Sequence, residues 1–177
     1  MNKQRQSPPD RAKRSAVVIE RTYQARVEEL WELWTTKEGF ESWWAPEGCR
    51  SEVHTIEARV GGTLLYNMIA VAPAQIAEMK QMGLATSHVV RARFSEIRPN
   101  QRLTITHVID LGPGVKPEEC TIAVDFFPAG ESVRMVVTIE PMHDEEFTQK
   151  SIKGFISQLR KLEGRFLEGR FAEPAGP

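Results

Sequence analysis

The chain has 177 residues, 41% hydrophobic and 27% charged, with a formal net charge of -1 and a pI near 6.4, so it has the length for one ordinary domain and no overall pull on nucleic acid. Only Cys49 and Cys120 occur, with neither a CxxC nor a Cys/His cluster, which leaves both as thiols and excludes a disulfide framework and a structural zinc site. No apolar run is long enough to cross a bilayer and the first residues hold no signal-like segment, so the expected location is cytoplasmic.

Residues 1–15 carry Lys3, Arg5, Arg11, Lys13 and Arg14 against one acid, Asp10, and read as a disordered basic tail. A single domain is expected over residues 16–167. AVVIERTY is a β-branched run suited to a strand. Val27, Leu30, Trp31 and Trp34 then fall at helical spacing, and Phe40, Trp43 and Trp44 repeat it in a second short helix that Pro46 stops. Three hairpins follow: SEVHTI and TLLYNMIA around ARVGG, HVVRARFSEI and RLTITHVID around RPNQ, ECTIAVDFF and SVRMVVTIE around PAGE. Between the first two lies PAQIAEMKQMG, residues 73–83, with Pro73 placed to start a short helix and Gly83 to end it. Asp144 is positioned to cap a long closing helix whose stripe is Ile152, Phe155, Ile156, Leu159, Leu162 and Phe166. LEGRFLEGRF repeats with a period that suits neither helix nor strand, and residues 168–177 read as a flexible tail. The predicted class is α+β: an antiparallel sheet of about six or seven strands curved around its last helix, with two short helices after the first strand.

RTYQARVEELWELWTTKEGFESWWAP, EARVGG, FSEIRPNQRLTITH and KGFISQLRKLEGRF, in that order, resemble the START-like (SRPBCC) helix-grip superfamily of START domains, birch-pollen-allergen-like proteins and polyketide cyclases. The branch they resemble is named after the C-terminal domain of the activator of heat-shock protein 90 ATPase. The resemblance covers roughly residues 16–166 and implies a cavity between the concave sheet and the last helix. Three departures stand out: a basic tail in place of the co-chaperone's separate N-terminal domain, Phe155 where this branch usually has Trp, and the 73–83 segment in place of a short turn.

Strand alternation in the apolar phase then points Leu64, Tyr66 and Met68 inward, with Val90, Ala92, Phe94 and Glu96, Leu103, Ile105 and His107, Ile122, Val124 and Phe126, and Met135, Val137 and Ile139, all facing Phe155 and Leu159. Each could pack purely as core. As a set, Met and aromatic residues with the polar tips of Tyr66 and His107 suit a small-molecule wall, and the expected cavity residues are Trp44, Tyr66, Met68, Phe94, His107, Val124, Met135, Val137, Phe155 and Leu159. Trp43 is expected to anchor its helix, and Trp44 to edge the cavity mouth.

No reaction emerges from the motifs. Glu96 and His107 share the inward phase, but the RPNQ turn sets them roughly 13 Å apart, so they form no dyad. His54, His88 and His143 lack metal-site spacing, and no P-loop, Rossmann or Ser-His-Asp pattern occurs. The expected partner is an apolar or amphipathic small molecule, with no cofactor, metal, nucleic acid or membrane insertion, and a homodimer left open. Two other readings stand beside it: a cyclase or hydrolase using His107 with Tyr66, and a chaperone-associated interaction protein.

Overall fold

The computed structural model describes residues 15–109, 114, 116–141 and 145–168. The basic tail through residue 14, the segment from 169 onward, Asp144 and His143 lie outside them. The elements run β1 (Val17–Tyr23), α1 (Val27–Thr35), α2 (Lys37–Glu41), β2 (Cys49–Ile56), β3 (Thr63–Ala70), α3 (Pro73–Gln81), β4 (Ser87–Arg98), β5 (Arg102–Ile109), β6 (Glu118–Ala129), β7 (Ser132–Ile139) and α4 (Glu145–Glu168). The seven strands form one antiparallel sheet in the order β1-β7-β6-β5-β4-β3-β2. Class, strand number and order of elements are those expected from the sequence.

Turn chemistry explains the hairpins. ARVGG closes β2 onto β3 through Gly61, which takes φ 76°, and Gly62, where a Cβ would stand 1.9 Å from the Glu57 carbonyl oxygen. In RPNQ, Asn100 takes the left-handed conformation at φ 60°, which its short polar side chain tolerates. The 73–83 segment forms α3, ended at Gly83 with φ 69°.

The concave face is covered by α4 and by the α1–α2 pair. On α4, Phe155, Leu159 and Leu162 are buried, each stabilising the fold by about 1.5–3 kcal/mol through area removed from water. Thr36 starts α2 by accepting the Gly39 N–H at 3.1 Å, and beyond it Trp43 and Trp44 fold back onto Trp34 while Phe40 stacks on Trp44.

One inward assignment is corrected. A β-bulge between Phe94 and Glu96 pairs Phe94 with Ile105 but Glu96 with Thr104, so Glu96 turns to the outer face. There it joins Arg102 at 2.8 Å and Thr104 at 3.3 Å, while Arg102 also holds Asp125. A carboxylate facing the apolar side would have lost these partners and much of its hydration. Glu96 and His107 therefore lie on opposite faces of the sheet.

Candidate functional site

The site is built around Trp44. Its backbone N–H donates to the Phe40 carbonyl at 2.9 Å, closing the last turn after α2. The loop beyond is tied to α4: Lys161 Nζ donates to the carbonyls of Pro46 and Cys49 at 3.2 and 3.1 Å, and the Glu47 N–H donates to Ser157 Oγ at 3.0 Å. These contacts fix the indole where sheet and helix diverge. Its ring is parallel to that of His107 at 5.9 Å between centroids, stacks on Phe40 at 4.8 Å, and meets Phe155 edge-on at 5.8 Å.

Polar atoms form a short chain behind this aromatic group. The Trp44 indole N–H donates to the Tyr66 hydroxyl at 2.8 Å, and that hydroxyl lies 3.5 Å from His107 Nε2. The hydroxyl oxygen accepts from Trp44, and the direction of its contact with Nε2 follows the imidazole tautomer. Burial pushes the Tyr66 hydroxyl far above its ordinary range, opposed in part by the Trp44 hydrogen bond. Burial likewise pushes His107 down to about 4. Both groups are neutral at pH 7, so this wall can exchange hydrogen bonds but offers no charge.

Trp44, Met68, His107 and Phe155 line a cavity of about 940 Å³, together with Val90, Ile109, Cys120, Ile122, Ile139, Gly154 and Gln158. The lining is chiefly apolar and occupies one end of the concave face, built from the ends of β3, β5 and β7 and the starts of β4 and β6.

The sequence from residue 24 to residue 166 matches the family described as activator of Hsp90 ATPase homolog 1-like protein. The chain belongs to this family. Solved structures with the same fold include a protein of Chromobacterium violaceum, 19% identical over 85% of this chain and 96% of that one, with a TM-score of 0.69. Others are the AHSA1 protein of Silicibacter pomeroyi, 19% identical over 88% and 99% at 0.68, and a protein of Arthrobacter aurescens, 20% identical over 91% and 88% at 0.68. No curated protein matches the sequence. These structural likenesses carry the fold alone, and the family match places it in the START-like superfamily.

In this Aha-type protein the expected cavity residues divide by depth along the strands. Trp44, Met68, His107 and Phe155 stand on the cavity wall, and Tyr66 lies just behind it. Phe94, Val124, Met135, Val137 and Leu159 are at most 1% exposed and fill the other end of the concave face as close-packed core. Trp43 is held by a 2.8 Å hydrogen bond from its indole to the Leu33 carbonyl, in the anchoring position expected of it.

Sequence reasoning missed three residues of the cavity lining, Gln158, Gly154 and Arg91. Gln158 is 8% exposed and, among the described residues, its Oε1 has no hydrogen-bond partner. Its signal was present in the sequence: a polar residue three places after Phe155 interrupts the apolar stripe of α4. Among the described residues no helix is long and apolar enough to cross a membrane, and no group of three or more His, Cys, Asp or Glu is placed to hold a metal ion.

Proposed function

We propose that this protein binds an apolar or amphipathic small molecule in the cavity between the sheet and α4. The observation that carries the reading is a cavity of about 940 Å³ walled by Trp44, Met68, His107 and Phe155 within a domain whose remaining concave face is close-packed. Apolar walls supply affinity through area removed from water, and the neutral His107 and Gln158 orient a ligand hydroxyl, carbonyl or amide. Such a ligand buries in this cavity no charge that the wall cannot answer.

A second reading, cyclase or hydrolase chemistry, has the Tyr66–His107 contact of 3.5 Å in its favour. An imidazole pushed down to about 4 is a weak base at neutral pH, and this ranks catalysis below binding.

A library of lipids, polyketides and aromatic compounds, read by thermal shift and native mass spectrometry, tests the proposal. A hit present at one hundred times its dissociation constant stabilises the fold by about 2.7 kcal/mol, which for a chain of this size raises the melting temperature by several degrees. A library in which no compound shifts melting or survives as a complex contradicts it.

A further inference from the structure

Among the described residues, the cavity lining reaches a fork between two neighbouring strands, β4 and β5. β3 pairs with β4 as far as Ile69 opposite Ser87, and β5 pairs with β6 as far as Ile109 opposite Glu118. Between β4 and β5, however, pairing among the described residues stops at Arg91 opposite Val108, leaving residues 88–90 without a described ladder partner on that side. The cavity lining crosses the sheet at this point, with Val90 and His107 from the concave face and Val89, Arg91 and Val108 from the outer face. Val89 and Val108 are large apolar side chains left 49% and 38% exposed at the rim.

Arg91 is the cation at this fork. The sheet carries seven strand arginines, and Arg21, Arg50, Arg93, Arg98, Arg102 and Arg134 are each in an ion pair, with Glu163, Glu52, Glu119, Glu96, Glu96 again and Glu20. Arg91 has no ion-pair partner among the described residues, although it sits one position from Ala92, the residue opposite His107. A guanidinium beside an apolar wall matches a carboxylate in a forked, two-bond geometry that an ammonium cannot reproduce.

Resting on the cavity reading, we propose that the ligand is an amphipathic monocarboxylate whose apolar body lies in the cavity and whose carboxylate passes the β4–β5 fork to pair with Arg91. The opposite orientation would bury the carboxylate beside neutral His107 and Gln158 with no cation to answer it, at a cost of several kcal/mol. With the head at Arg91, the body covers Val89 and Val108, and a hydroxyl or carbonyl along it can reach Gln158.

Decanoate, 1-decanol and decyltrimethylammonium share one alkyl chain and differ in the head, so calorimetric titration of all three isolates the head-group preference. Wild-type protein is expected to bind decanoate about tenfold more tightly than decanol, and the trimethylammonium compound most weakly. Arg91→Leu erases the difference between decanoate and decanol without lowering the affinity for decanol, and Arg91→Lys keeps part of it. Arg91 is exposed, and thermal melts of both variants confirm an intact fold. Equal binding of decanoate and decanol by wild type, or a preference that survives Arg91→Leu, overturns the carboxylate assignment and leaves the cavity reading standing. Failure of all three compounds also overturns it, and the cavity reading falls with it only if the wider library fails as well.

Discussion

Replacing Trp43 with alanine lowers the unfolding free energy by about 3–5 kcal/mol, a large part of the stability of a domain this size. The side chain is 1% exposed and is met edge-on by Trp34 at 4.7 Å, Trp44 at 5.2 Å and Phe155 at 6.4 Å. Truncation empties a space ringed by other aromatics, which cannot collapse into it without leaving their own contacts. It also deprives the buried Leu33 carbonyl of the indole hydrogen bond at 2.8 Å. Trp43→Phe keeps most of the packing, loses the hydrogen bond, and costs about 1–3 kcal/mol. Urea denaturation of the three proteins measures both differences. A loss below 1 kcal/mol for the alanine variant would remove Trp43 from its place as the anchor of the α1–α2 unit.

The second large effect is a loss of stability in acid that belongs to His107. Its pKa is about 4 in the folded protein against an ordinary 6.5, because burial disfavours the imidazolium. The unfolded chain takes up this proton as pH falls through 6.5, and the folded chain only near 4. The contribution is therefore complete above pH 6.5, declines between 6.5 and about 4, and is absent below. The full shift corresponds to about 3 kcal/mol, an upper bound because the ring is partly exposed in the cavity. His107→Asn cannot titrate, so the stability difference between wild type and variant should narrow by 2–3 kcal/mol, as an order-of-magnitude figure, from pH 7 to pH 4. His88 lines the same cavity and is retained in both proteins, so the comparison isolates the change at position 107. A difference constant across this range would show that His107 is not buried neutral.

The fold was legible because its signals are local. Helical spacing in α1, α2 and α4, turn residues at ARVGG, RPNQ and PAGE, and alternation along the strands each act within a few residues. Alternation assigns a face and says nothing about depth. It put Phe94, Val124, Met135 and Val137 on the same side as His107, but only the structure separates the packed end of that face from the cavity end. Glu96 was misplaced because a bulge adds one residue to one strand and reverses every side chain beyond it, and Ser95 carries no glycine to announce this. Arg91 was hidden for a related reason: it belongs to the outward phase, yet it stands in the cavity lining at the last described β4–β5 pair. The pairing of Trp44 with Tyr66 and His107 joins three elements far apart in sequence, which no spacing rule within one element can reveal.

Gly154 gives the most direct test of the cavity as a binding site. It lies on α4 against the cavity, and a Cβ placed there would meet no atom within 4 Å. Gly154→Ala adds one methyl group in open space and favours the helix by about 0.5–1 kcal/mol, so it should bind like wild type and melt slightly higher. Gly154→Phe directs a ring into the cavity. The decisive measurement is native mass spectrometry and calorimetry of wild type, Gly154→Ala and Gly154→Phe with the compounds that raise the wild-type melting temperature. Binding to the first two and loss of binding in a Gly154→Phe protein that still melts cooperatively is the result expected of a ligand held between sheet and helix. Undiminished binding by Gly154→Phe would place the ligand elsewhere and contradict the account.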